Sequence, residues 1–175
     1  PYILGSSKAA LTGPIGGLTW KASVVRHQKG EGAEEKRIGA DFLIHVRLDT
    51  PTDKYSKGVL VQAKRVEPKE GMSEQAHSDL VTQCSKMLKI SAASFVFDYA
   101  KSGVRVASAS RVEGAKSRDL HSVCSLTSYR FFLELFRCPV GDPKITSALV
   151  KELPIPAALE VLASGDFREP RTKIR

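Results

Sequence analysis

Short stretches in which apolar and polar residues alternate recur along the first two thirds of the chain. Strict alternation over four to eight residues is typical of β-strands with one buried face. The third stretch, "GVLVQAKR", is separated from the second by the polar run "DTPTDKYSKG", which predicts a loop. The pattern predicts strands over residues 18–28, 38–48, 59–65, 94–99 and 103–109.

Helical periodicity replaces this alternation after residue 72. Apolar side chains spaced by three and four residues predict a helix from Ser73 to Lys89. Similar spacing predicts a second helix from Ser128 to Phe136, and "PAALEVLA" predicts a last one. Strands interspersed with helices indicate an α/β protein with a mixed central β-sheet flanked by helices.

Length and composition indicate one globular domain. The chain has 175 residues, of which 42% are hydrophobic and 26% charged. We expect a core over about 18–112 and a helical C-terminal extension over 113–175. Pro1 in place of a methionine suggests a piece of a longer chain, in which a sensor domain could also lie. Neither an apolar run of roughly 18 residues nor a signal peptide pattern occurs, which predicts a cytoplasmic protein with no membrane partner.

The chain is strongly basic, with a formal net charge of +8. Lysine and arginine side chains that displace counterions from phosphates supply affinity for nucleic acids of any sequence. The charge therefore favours a polyanionic partner, although many basic proteins bind none. Three cysteines are an odd number without metal-type spacing, so we expect reduced thiols rather than disulfides or a zinc site.

Polar side chains occupy one face of two neighbouring predicted strands. Period-two alternation places Asp41, Leu43 and His45 on one face of the second strand. It places Gln62 and Lys64 on one face of the third. If the strands pair, one face carries an acid, an amide and an ammonium group, whose burial without partners costs several kcal/mol.

Phosphodiester hydrolysis gives these three groups a common purpose. A carboxylate and a carbonyl-type oxygen can hold a divalent metal ion at a phosphate, and a nearby lysine can stabilise the added negative charge. The residues Gly39-Ala40-Asp41, followed by Gln62-Ala63-Lys64, resemble the PD-(D/E)xK nuclease superfamily in the QxK variant found in Mrr-type restriction enzymes. The similarity covers about 18–112 and includes "LVTQCSKML" as the helix behind the QxK motif.

The resemblance implies a restriction-endonuclease-like core that cleaves double-stranded DNA with Mg²⁺ or Mn²⁺, as the cleavage module of a prokaryotic restriction or antiviral defence system. Asp41, Gln62 and Lys64 would be catalytic, with Asp41 and Gln62 also binding the metal. A homo-oligomer is a further expectation. The superfamily usually adds an acid ahead of the sheet; Glu35 is the first choice here, followed by Glu34 and Glu31.

Two further side chains are candidates for contacts to the site or to DNA. They are Gln83, for which a place on the helix surface is the alternative, and Arg65, for which solvent is the alternative. Asp41 could instead cap the start of a strand, and Lys64 could protect an edge strand from aggregation. A catalytically inactive nucleic-acid-binding module of the same fold is therefore the competing function, followed by a structural domain with incidental charge.

Overall fold

The computed structural model describes residues 8–11, 18–26, 38–137, 139–153 and 155–165. These ranges contain eight strands and five helices. The strands are β1 Lys8–Leu11, β2 Leu18–Arg26, β3 Phe42–Asp49, β4 Lys54–Lys64, β5 Ser94–Ala100, β6 Gly103–Ser108, β7 Leu126–Thr127 and β8 Ala157–Gly165. The helices are α1 Glu74–Ile90, α2 Ala109–Gly114, α3 Leu120–Val123, α4 Ser128–Phe136 and α5 Ser147–Glu152.

All eight strands belong to one mixed sheet in the order β1-β2-β8-β3-β4-β5-β6-β7. Strand β8 runs parallel to β3, and β4 runs parallel to β5. The other neighbours are antiparallel. The predicted α/β class with a mixed sheet and flanking helices is confirmed at this level.

Each face of the sheet has its own hydrophobic cluster. On the face that we call the α1 face, Leu80, Cys84 and Met87 of α1 belong to a buried cluster with Leu43 and Leu60 of the sheet. On the opposite face, which we call the α4 face, the buried residues come from α4 and from the alternate strand positions. This second cluster contains Ile44, Val46, Val59, Val61, Phe95, Phe97, Val106, Phe131, Leu135 and Val161. The alternation predicted for β3 and β4 is confirmed.

Both helices predicted from apolar spacing are confirmed. Helix α1 begins after Ser73, whose hydroxyl accepts a hydrogen bond from the backbone N–H of Ala76 at 3.2 Å. Helix α4 has the predicted bounds. Within the described ranges, no helix has the length and apolarity needed to cross a bilayer.

The boundaries of β3 and β4 differ from the prediction. Strand β3 begins at Phe42 rather than Ile38, because Gly39 has φ +79°, which extended strands do not adopt. Strand β4 begins at Lys54, so most of the predicted loop is strand. The connection is a tight turn closed by Thr50, whose N–H donates to Asp53 O at 3.0 Å.

The predicted last helix is wrong. "PAALEVLA" lies largely in β8, between β2 and β3. A strand with neighbours on both sides is apolar on both faces, and periodicity cannot separate a short run of that kind from a buried helix. Ala158 packs into the cluster on the α1 face and Val161 into that on the α4 face. Residues 113–175 are therefore not simply a helical extension, since β8 completes the sheet.

Candidate functional site

The site begins at the close approach of Gly39 to helix α1. A Cβ atom added at Gly39 would lie 2.4 Å from the backbone oxygen of Gln83 and 2.9 Å from its Cα. Only glycine fits this contact, and its positive φ is a second reason for glycine. After the turn at Gly39, Asp41 lies next to β4, and its backbone N–H donates a hydrogen bond to Val61 O at 2.9 Å.

Asp41 and Gln62 lie side by side on the α1 face. One carboxylate oxygen of Asp41, Oδ2, accepts hydrogen bonds from Gln62 Nε2 at 2.7 Å and from the backbone N–H of Ala63 at 2.6 Å. In the second bond, the Asp41 carboxylate accepts from the Ala63 N–H in place of a backbone carbonyl, just before β3 begins. Both bonds reach Oδ2, so neither of them uses Oδ1.

Gln62 presents an unpaired oxygen beside this carboxylate. Its side chain is buried, and Oε1 has no hydrogen-bond partner among the described residues. The amide orientation follows from chemistry, because an ionised carboxylate only accepts and therefore needs the NH₂ group of Gln62. A buried carbonyl oxygen without a donor is costly unless a ligand satisfies it.

Lys64 lies two residues further along the same face, at the end of β4. It is partly exposed, and Asp98 of β5 is its cross-strand partner. Its charge acts on Cys84 of α1, whose pKa is raised to about 12 mainly by burial and also by Glu113, whereas the positive charge of Lys64 lowers it. The ammonium group therefore lies on the α1 side of the sheet, as the alternation predicted.

Asp98 is an acid that the sequence analysis did not single out. It is fully buried, and its Oδ1 accepts a hydrogen bond from the N–H of Val66 at 2.9 Å. Its Oδ2 lies 3.6 Å from Nδ1 of His121 on α3. Burial raises the pKa of Asp98, while the Val66 N–H and His121 oppose that shift. An acid within the apolar stretch "SFVFDY" was the available signal.

The hydrogen bond from Val66 fixes the backbone just beyond Lys64. Asp98 therefore positions the end of β4, on which the candidate lysine stands.

His45 is packed away from this cluster. It is fully buried on β3, with Nε2 2.9 Å from Ser56 Oγ and Nδ1 3.7 Å from Glu160 Oε1. Burial lowers the pKa of His45, Glu160 raises it, and Arg47 lowers it. This histidine belongs to the interior contacts between β8, β3 and β4.

The remaining predicted residues have mixed positions. The candidate acids Glu31, Glu34 and Glu35 all lie outside the described residues. Gln83 touches the site through its backbone at Gly39, and its Oε1 is buried without a hydrogen-bond partner in the described ranges. Arg65 is 67% exposed, with Nε 3.6 Å from Glu67 Oε1.

The oxygen atoms at Asp41 and Gln62 fit a hard cation. Mg²⁺ and Mn²⁺ prefer carboxylate and carbonyl oxygens, and the unpaired Gln62 Oε1 lies beside an ionisable carboxylate. In the part of the chain that the structure describes, no three His, Cys, Asp or Glu side chains converge on a point. A metal here would thus depend on one carboxylate, one amide and groups from solvent, substrate or residues beyond that part.

No protein-family model, curated protein or solved structure matches this chain. A proposal for its function therefore depends on the chemistry of its own residues.

Proposed function

We propose that this protein is a metal-dependent deoxyribonuclease that hydrolyses phosphodiester bonds at Asp41, Gln62 and Lys64. The observation that supports this most is the pairing of Asp41 with Gln62, whose buried Oε1 has no hydrogen-bond partner in the described part of the chain. Lys64 adds a positive charge on the same face of the same strand. A scissile phosphate needs oxygen ligands for its counterion and a cation of this kind.

Each residue has a distinct part in the proposal. Asp41 and Gln62 would hold Mg²⁺, which supplies Lewis-acid stabilisation of the phosphate when bound. Gln62 also orients Asp41 through its NH₂ group. Lys64 places a positive charge where negative charge grows in the transition state. Asp98 keeps the end of β4 in position through Val66.

The charge of the chain supports a nucleic-acid substrate. A net charge of +8 favours a polyanion, and DNA in a restriction or defence setting is the substrate that the QxK resemblance implies. A homo-oligomer and a sensor domain in a longer chain remain part of this proposal.

The first test is cleavage of plasmid DNA with Mg²⁺, with Mn²⁺ and with EDTA. We expect cleavage with either metal ion and none in EDTA. Asp41→Asn should abolish cleavage and leave DNA binding nearly intact, because binding comes mainly from dispersed lysine and arginine side chains. Full activity of Asp41→Asn would refute a metal site at this carboxylate.

The second test concerns Lys64. We expect Lys64→Ala and Lys64→Arg each to lose cleavage by roughly a hundredfold or more, the scale for removal of one transition-state donor. Arginine keeps the charge but not the compact ammonium group. Lys54→Ala is the matched control, since Lys54 is an exposed lysine at the opposite end of the same strand. Equal losses at Lys54 and Lys64 would mean that general charge, and not position, matters.

A second candidate function is nucleic-acid binding without catalysis. The observation in its favour is that Asp41 already caps the Ala63 N–H, a structural use that needs no metal. This alternative predicts DNA binding by the wild type with no cleavage under any metal condition. It also predicts only modest affinity changes in the Lys64 variants.

A further inference from the structure

Tyr99 is an exposed aromatic side chain at the same end of the sheet as the candidate site. The exposed large hydrophobic side chains of the described residues are Ile90, Tyr99 and Tyr129. Tyr99 follows Asp98, the cross-strand partner of Lys64. Successive strand residues point to opposite faces, so Tyr99 lies on the α4 face while Lys64 lies on the α1 face.

The Tyr99 ring has rigid support beneath it. Its centroid is 6.2 Å from that of Phe97, with the rings tilted by 45°. Phe97 in turn packs edge-on against Phe42 at 6.0 Å and Phe131 at 5.0 Å. Tyr99 is nevertheless 38% exposed, so it offers an ordered aromatic surface to a ligand at little entropic cost.

The charges around Tyr99 suit a nucleic acid strand. Arg65 directly follows the end of β4 at Lys64, whose cross-strand partner Asp98 directly precedes Tyr99. Arg65 is 67% exposed, and Glu67 binds both the Arg65 Nε at 3.6 Å and the backbone N–H of Lys101 at 3.0 Å. Through Glu67, Arg65 thus lies near the end of β5, where Tyr99 is exposed, and an arginine near an exposed ring combines phosphate attraction with stacking.

Asp41 and Tyr99 are also close enough to influence each other. Burial raises the pKa of Tyr99, and the negative charge of Asp41 raises it further. The register also places both at one end of the sheet, since Asp41 precedes Phe42, the partner of Val61, and Tyr99 follows Asp98, the partner of Lys64.

We propose that Tyr99 is a stacking platform for an unpaired nucleobase next to the phosphate held at Lys64. The strand would cross the ends of β4 and β5, with its phosphate on the α1 face, its base on the Tyr99 ring and Arg65 along its backbone. Bases inside a duplex are stacked on one another and cannot cover this ring. The ligand is therefore single-stranded DNA, or duplex DNA with an unpaired nucleotide at the cut.

This inference deepens the proposed function, because it takes the position of the phosphate from the candidate site. It is tested by binding in EDTA, where metal-dependent cleavage cannot interfere. The probes are a fluorescent single-stranded oligonucleotide of mixed sequence and the corresponding blunt duplex. Fluorescence anisotropy gives the dissociation constant of each.

We expect Tyr99→Ala and Tyr99→Leu to weaken single-strand binding by roughly 5- to 100-fold, the range for loss of one base–aromatic stack. Tyr99→Phe should bind within about twofold of the wild type, because the ring is kept. Tyr99→Leu keeps an apolar side chain over Phe97, so it separates stacking from packing. Tyr129→Ala is the matched control, since Tyr129 is 75% exposed at the start of α4.

The salt dependence of the binding constant is a second measurement, which a purely structural role of these residues would not change. Tyr99→Leu should leave the slope of log K against log salt unchanged, because stacking releases no counterions. Arg65→Ala should reduce that slope by about 0.7, the value for one phosphate contact on a single strand.

The inference would be overturned if Tyr99→Leu bound as tightly as the wild type, or if Tyr99→Ala and Tyr129→Ala lost equal affinity. It would also be overturned if the Tyr99 variants lost as much affinity for the blunt duplex as for the single strand, or if the wild type bound neither probe. A wild type that stacks a base through Tyr99 yet never cleaves would refute the nuclease and leave the stacking platform standing.

Discussion

Asp41 shows how much of this site a strand pattern can predict. Alternation placed Asp41, Gln62 and Lys64 on one face, and the structure has them there, with Asp41 bonded to Gln62 at 2.7 Å. The bond from the Ala63 N–H to the carboxylate could not be predicted, because it requires β3 to start at Phe42. That start depends on the positive φ of Gly39 and on the close approach of Gly39 to α1, which is a tertiary contact.

Gly39→Ala should destabilise the protein. The new Cβ would meet backbone atoms of Gln83, and a positive φ costs an L-residue about 1–2 kcal/mol. We expect the free energy of unfolding to fall by about 2 kcal/mol or more, measured by urea denaturation. Gly114→Ala is the control: nothing lies within 4 Å of its added Cβ, so stability should be unchanged or slightly higher. A Gly39→Ala protein as stable as the wild type would contradict the close approach to α1.

His45 should make stability depend on pH. Because burial lowers its pKa in the folded state, the unfolded chain binds the proton more readily. Stability is therefore fully present above the unfolded pKa of about 6.5 and is lost as the pH falls below it, by at most about 1.4 kcal/mol per pH unit. Urea unfolding at pH 7.5 and 5.5 measures this loss, and His45→Gln should show a smaller one. An identical pH dependence in both proteins would mean that His45 takes up a proton while folded.

Among the elements, amphipathic helices were predictable and the last strand was not. Helices α1 and α4 each carry an apolar stripe of helical period, which tertiary contacts then bury. Strand β8 is apolar on both faces because β2 and β3 flank it, and that environment cannot be read from the segment itself. The resemblance to a core over about 18–112 also left out residues 157–165, which form β8.

Val161→Pro should test the central position of β8. Val161 pairs with Ala22 of β2 on one side and with Val46 of β3 on the other, so proline would remove a ladder hydrogen bond inside the sheet. We expect loss of the cooperative thermal transition in circular dichroism. Val161→Ala, which only shortens the side chain, should remain folded with a loss of about 2 kcal/mol. A folded Val161→Pro protein would place β8 at a sheet edge.

At the scale of the whole molecule, the polar candidate site and the hydrophobic clusters occupy different parts of the sheet. The candidate site occupies one end of the strands, where Asp41 contacts Gln62 and Lys64 lies on the same face, while hydrophobic clusters fill both faces behind it. Composition predicted a globular domain and a polyanionic partner, and the order of predicted elements an α/β class, but neither could predict which strands are neighbours. Strand order depends on contacts between residues far apart in the chain, which local patterns do not encode.

The place of β8 in the sheet has a consequence for synthesis on the ribosome. Strands β2 and β3 are made early, yet the strand that joins them is the last described element of the chain. Until it emerges from the exit tunnel, both leave a row of N–H and C=O groups open to other chains. The nascent protein should therefore complete its sheet only after β8 has emerged, and it should need chaperone protection in the interval.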